Sequence, residues 1–215
     1  MAGPEWAEDR LRDRRRLISN IEAVGRRISA EAPQRLQPTV AMAQQWHREI
    51  YAGTRVPVPC YAGEVRGGDG CPELLDYRVR VGRVVAVSPE DVPTSLERLE
   101  DQMGDAIGRV DPHIAVGTVP ATNAQISSVL VFAAFAHGEW IRIHPFANGN
   151  GRTARLWAQW VAVRYGLPPF VRLKPRPRGT AYGDAAAASM EGRHEVMVPV
   201  FQEMLSARLR EGARY

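Results

Sequence analysis

Residues 122–163 read TNAQISSVLVFAAFAHGEWIRIHPFANGNGRTARLWAQWVAV, and this stretch decides the fold. Thr122 to Gln125 has the form of a capping box, with a hydroxyl at the N-cap and an amide three residues on, so a helix opens there. The run from Ile126 to Ile143 is apolar nearly all the way round, as in a helix buried at a domain centre. Pro145 pushes the residue before it out of the helical region, so the helix must end near Ile143 with His144 beyond it. Leu156, Trp160 and Val163 then resume helical spacing, which makes the stretch a helix, a tight loop and a second helix.

The loop has the composition of a phosphate cradle. Gly149 and Gly151 flank Asn150 and let the backbone approach a ligand, with amides at the N-terminus of the second helix, where anions are favoured. Arg152 and Arg155 are three residues apart in its first turns, and both can lean toward one face to grip phosphate oxygens. At the other lip stands His144, an imidazole with an ordinary pKa near ~6.5 that can take a proton from an incoming hydroxyl. Asn148 offers a carbonyl oxygen to a hard cation such as magnesium, as a weak ligand.

Working outward, residues 5–33 predict a charged helix, with Trp6, Leu11, Ile18, Ile21, Val24 and Ile28 as an imperfect apolar stripe, interrupted by Pro33 and Pro38. A second helix is expected from Val40 to Tyr51, stopped by Gly53. The glycine-rich stretch 63–70 predicts a turn or loop. Tyr77, Val79 and Val81 alternate with Arg78 and Arg80, and Gly82 offers a turn, so 77–87 predicts a small hairpin. Ser88 to Asp91 opens a helix whose inward residues are Leu96, Leu99, Met103 and Ile107.

The 215 residues, 45% of them hydrophobic, suffice for one core. Two cysteines, Cys60 and Cys71, are too few for a disulfide framework, and they lack zinc-spaced partners. A reducing cytoplasm is the plain expectation. No basic start leads into an apolar run, and no stretch approaches the ~18 apolar residues of a membrane span. The formal charge of +4 is carried by arginine, with Lys174 the sole lysine, and 24 acidic residues are interspersed. Such a mixture does not imply nucleic-acid binding. His137, on an apolar helix, reads as packed or locally bonded, and His47, His113 and His194 have no partners at metal or triad spacing. Trp140, Trp157 and Trp160 read as core. Arg172, Lys174, Arg176 and Arg178, interleaved with Pro175 and Pro177, read as a solvated loop near the phosphate entrance.

Residues 144–155, HPFANGNGRTAR, resemble the signature of the Fic family, H-P-F-x-(D/E)-G-N-G-R-x-x-R, and depart from it at Asn148, where the family has a metal-binding acid. The likeness extends over roughly 40–205: WHREIYAG at 46–53 is similar to the family's early helix, AGEVR at 62–66 to the entry to its flap, and 182–205 to its closing helical pair. It implies a mostly α Fic fold, a single helical domain with a central buried helix and a small hairpin flap over the active site. Residues 1–37 form a helical extension, 38–205 the domain and 206–215 a helical tail.

The implied activity is transfer of AMP from ATP, with magnesium, to a Ser, Thr or Tyr hydroxyl of a target protein. His144 would be the general base and Pro145 and Phe146 structural; Gly149, Asn150, Gly151, Arg152 and Arg155 would hold phosphates. Tyr77, Val79, Val81 and Gly82 would form the flap that aligns the target by strand addition. Transfer of UMP, phosphate or phosphocholine, and a nucleotide-binding regulator with little turnover because of Asn148, stay open. The family's inhibitory Ser/Thr-x-x-x-Glu pattern has no clean copy, since Ala187 precedes Glu191 and Ala207 precedes Glu211, so the expectation is restraint by a separate antitoxin-like protein or no restraint.

Overall fold

A computed structural model of the chain describes Trp6 and residues 11–177 and 179–212, the side chains of Leu11 and Arg12 excepted. Readings that fall on residues 5 and 7–10, the Leu11 side chain, Arg178 and residues 213–215 lie outside the described residues. Seven α-helices are described: α1 Leu11–Glu31, α2 Val40–Tyr51, α3 Val92–Val110, α4 Asn123–Ile143, α5 Asn150–Arg164, α6 Thr180–Met190 and α7 Met197–Gly212. The only described strands, β1 Arg80–Val81 and β2 Val84–Val85, pair antiparallel with Val81 opposite Val84. The mostly helical fold with a small hairpin is the one expected.

Helix α4 organises the rest. Its capping box forms as read: the Thr122 side chain accepts from the Gln125 amide, and the Gln125 side chain accepts from the Thr122 amide. Helices α3, α5, α6 and α7 pack around it. By length and composition α4 could cross a membrane, contrary to the expectation that no stretch comes near, but 67% of its apolar window is buried among these helices. It is the core helix of the domain.

The core is aromatic where α2, α4 and α5 meet. Trp46 packs on Trp157 at 4.7 Å between ring centres, and Trp157 edges onto Trp160 at 5.7 Å. Trp140 joins this cluster to Phe146, 5.6 Å away, so the packing reaches into the motif loop.

Three expectations need correction. Trp6 stands outside α1; its ring lies against Tyr51 and Tyr61, at 5.2 and 6.0 Å, which gives it apolar cover without a helix. The regular ladder is shorter than the alternation of 77–87 suggests: beyond Arg80–Val81 and Val84–Val85 one bond runs from the Ala86 amide to the Val79 carbonyl, and the Tyr77 and Val87 carbonyls accept from Arg66. Cys60 and Cys71 are joined in a disulfide, their Cα atoms 5.6 Å apart. A count of two argues against a framework of bridges, but it cannot show that one loop brings its two ends together.

Trp157→Ala removes the ring that Trp46, Trp140 and Trp160 all touch and leaves a void that the helices cannot close. The expected cost is about 3–5 kcal/mol in urea unfolding. A loss below about 1 kcal/mol would mean that the cluster is not the core.

Candidate active site

His144 ends α4 in the left-handed conformation, φ 55 and ψ 55, its amide donating to the Trp140 carbonyl at 3.0 Å. The departure from the helix required by Pro145 is thus achieved by a left-handed turn. For a non-glycine residue this costs on the order of 1 kcal/mol and persists only where the surroundings impose it. The chief of these is Arg66, whose guanidinium is buried and donates to four carbonyls: His144 at 2.8 Å, Ile143 at 2.9 Å, Val87 at 2.9 Å and Tyr77 at 3.0 Å. The first two are orphan carbonyls at the C-terminus of α4, where a cation is favoured. The other two are the feet of the hairpin. One side chain thereby roots the flap beside the histidine. Burial draws the Arg66 pKa down to about 10, so it remains a cation at neutral pH.

The His144 ring is oriented by Nδ1, which lies 3.0 Å from the Ile141 carbonyl. A carbonyl can only accept, so Nδ1 carries the proton and Nε2 the lone pair. Burial is the main cause holding the ring's pKa below the usual histidine range, and the Arg66 charge acts in the same direction. The ring is therefore neutral and basic at Nε2 around neutral pH.

The loop after it is pinned at both edges. Asn150 Oδ1 accepts from the Phe146 amide at 2.9 Å and its Nδ2 donates to the Phe146 carbonyl at 2.7 Å, a closed pair in a buried place. The Asn150 side chain is thus a staple of the loop, and its amide is what remains for phosphate. Phe146 stacks on His47 at 3.9 Å. His47 is fully buried: its Nδ1 accepts from the Gly63 amide and its Nε2 donates to the Asn148 carbonyl, each at 2.9 Å. Gly149 must be glycine twice over, since its φ is 86° and a Cβ there would lie 2.8 Å from His47 Nε2.

Helix α5 begins at Asn150, and its first main-chain bonds run from the Arg152 and Thr153 amides to the Gly149 carbonyl. The amides of Asn150 and Gly151 precede that ladder, at the positive end of the helix. Arg152 is bonded to the Tyr51 hydroxyl and lies over its ring, 5.2 Å from the centroid. Arg155 donates to the Leu173 carbonyl through Nε at 3.2 Å and Nη2 at 3.1 Å. His144, Asn148 to Arg152, and Arg155 line one open cavity of about 330 Å³, together with Lys174 and Arg176. The fold therefore gathers the motif residues in one place. Tyr77 and Val79 lie at the foot of the hairpin and Val81 and Gly82 at its exposed tip.

The cavity offers little to a resident magnesium ion. Asn148 Oδ1 accepts from the Gly149 amide at 2.7 Å, its main-chain oxygen is taken by His47, and no carboxylate lines the cavity among the described residues. A hard dication needs several oxygen donors, preferably charged, and four cations surround the place instead. Asn148, expected as a weak magnesium ligand, lines the cavity with its Oδ1 accepting from the Gly149 amide at 2.7 Å and from Arg152 Nη2 at 3.4 Å. His47, Arg66 and Tyr51, which sequence reasoning missed or left without a role, are the positions outside the motif that hold it in place. His137, bonded to the Tyr182 hydroxyl at 2.7 Å, is a locally bonded core histidine as read.

The Fic/DOC family model matches residues 37–162. The chain is 32% identical over 147 residues to the protein adenylyltransferase fic-1 of Caenorhabditis elegans, which covers 68% of this chain and 23% of that protein. It is 27% identical over 157 residues to the protein adenylyltransferase Fic of Drosophila willistoni, 72% of this chain and 25% of that protein. The chain thus spans about a quarter of the length of these curated relatives. Among solved structures it resembles Fic-1 of C. elegans, with a TM-score of 0.67 at 19% identity over 100% of this chain and 54% of that one. A Fic-domain signalling protein of Bacteroides thetaiotaomicron gives 0.62 at 20% identity, over 90% and 68% of the two chains.

Burial sets the pKa of His47 and of His137 at about 3, against 6.5 unfolded. Acid therefore protonates the unfolded chain first. The stability these neutral rings allow is complete above about pH 6.5 and falls by up to about 1.4 kcal/mol per pH unit for each ring as the pH drops toward 3. Urea midpoints should decline over that range, less steeply in His47→Gln. An equal slope in that variant would show that His47 is protonated in the folded chain.

Proposed function

The chain belongs to the Fic/DOC family, and on that premise we propose that it is a protein adenylyltransferase that moves AMP from ATP to a hydroxyl of a Ser, Thr or Tyr side chain on another protein. The observation that carries this reading is a histidine with its lone pair on Nε2, sharing one cavity with helix-terminal amides and two motif arginines. His144 Nε2 takes the proton of the target hydroxyl as its oxygen bonds the α-phosphorus. The bond from that phosphorus to the bridging oxygen breaks, and pyrophosphate leaves with the electron pair. The amides of Asn150 and Gly151, with Arg152 and Arg155, hold the charge that passes to the leaving group.

Two arms of the reading concern partners. Val81 and Val85 are exposed on a two-stranded hairpin, whose open edge suits pairing with an extended target segment. Magnesium would reach the reaction on the nucleotide's own phosphates, where it spreads negative charge, and the chain's part is to position those phosphates. Restraint by a separate antitoxin-like protein fits the lack of a clean inhibitory pattern in the sequence.

His144→Ala is expected to reduce labelling of targets from radioactive ATP by about two to four orders of magnitude while leaving nucleotide binding in place. Mass spectrometry of the modified target separates added AMP from UMP, phosphate or phosphocholine. Undiminished labelling by the alanine variant would remove the base from the mechanism.

A further inference from the structure

From Ala52 to Val79 the chain forms no α-helix and no strand, and its regular pieces are short 3-10 turns at Pro59–Tyr61 and Pro72–Leu74. Yet contacts that hold the motif start there. The Gly63 amide donates to His47, and the Arg66 guanidinium donates to the carbonyls of Ile143, His144, Tyr77 and Val87. The Arg66 amide adds a bond to the Pro145 carbonyl at 2.8 Å. Both residues lie inside the loop that the Cys60–Cys71 disulfide closes. The bond itself borders a small apolar cluster of Tyr61, Cys71 and Leu74, apart from the main core, against which Tyr77 of the hairpin foot and Ala147 of the motif loop pack. A covalent crosslink thus stands where regular secondary structure does not, around the segment that fixes His144.

The two sulfurs differ in access: Cys71 is buried and Cys60 is only partly covered. We propose that this pair is a thiol–disulfide exchange site, open to a small dithiol at Cys60, whose redox state sets how firmly the hairpin and His144 are held and, with that, the rate of adenylyl transfer. The inference rests on the transferase reading for what it regulates. A thiolate of the dithiol bonds the Cys60 sulfur as the bond to Cys71 breaks, and Cys71 leaves with the electron pair and takes a proton. The second thiolate then displaces Cys60, which is protonated in turn, and the reductant ends as a disulfide. The reduced pair finds an acceptor already in place, because Glu73 Oε2 lies 3.6 Å from Cys60 Sγ and 3.4 Å from Cys71 Sγ. Both states therefore have partners. Opening the crosslink returns conformational freedom to the loop, and the bonds from Gly63 and Arg66 must then hold the motif against it.

The test compares the full chain after treatment with dithiothreitol and after treatment with glutathione disulfide, each reagent removed before assay. Oxidised protein is expected to label targets from radioactive ATP about tenfold faster or more than reduced protein, since small displacements of a catalytic group cost rate steeply, and reoxidation should restore the rate. Hydrogen exchange read by mass spectrometry should show residues 79–87 and 141–150 losing protection on reduction while 156–163, in the core of α5, keep theirs. Cys60→Ser should label at the reduced rate after either treatment. Equal rates and equal protection in the two states of the wild type overturn the inference and leave adenylyl transfer standing. So does loss of protection in α5, which would mean that the whole domain opens, or a rate difference that persists in Cys60→Ser, which would belong to the target. Labelling in neither state removes the transferase reading, and exchange then decides alone: a difference confined to the hairpin and motif upholds the latch, and none overturns it.

Discussion

The buried guanidinium of Arg66 is the contact on which the arrangement of the site depends. Its four carbonyl partners come from the end of α4 and from both feet of the hairpin, segments that share no continuous secondary structure. Burying a cation is costly unless its donors are met, and bonds to a charged group contribute about 1.5–3 kcal/mol each when they are. The fold meets that demand with main-chain oxygens that would otherwise be orphaned at a helix terminus. The consequence is geometric: the hairpin cannot shift without disturbing the His144 carbonyl, and the histidine cannot leave its left-handed turn without releasing the flap.

From that anchor the remaining chemistry follows in short steps. The left-handed turn, held at its carbonyl by Arg66, leaves the His144 ring against the Ile141 carbonyl and so fixes which nitrogen is basic. The Asn150 staple and the stack of Phe146 on His47 then bring the chain round to α5, whose first amides open on the same cavity. The net effect on His144 is downward, burial outweighing the hydrogen bond to Ile141 that favours the protonated ring. Burial and the Arg66 charge disfavour protonated histidine, which keeps a base available, while the motif arginines Arg152 and Arg155 line the cavity that would take phosphate.

What could be read from the sequence was what is local. The capping box at Thr122, the stop before Pro145 and the α2 helix from Val40 to Tyr51 all rest on interactions within a few residues, and they appear where the spacing puts them. The motif loop was legible because glycine, asparagine and arginine stand close enough for one turn to gather them. His47 and Arg66 were not legible, since each acts across about eighty to a hundred residues and nothing in its own neighbourhood signals that reach. The same holds for Asn148: its side chain is occupied by the amide of the next residue, a local bond that competes with metal binding and that composition does not reveal. The Cys60 to Cys71 pairing is a third case, a matter of loop path and not of cysteine number.

The central claim is that this fold presents a neutral imidazole with its lone pair on Nε2 beside a phosphate cradle. Nitrogen-15 NMR of selectively labelled histidine reads that state directly. The account requires His144 to show the Nδ1–H tautomer near neutral pH and to titrate below the ordinary value of 6.5. A proton on Nε2, or a midpoint at or above that value, would contradict it.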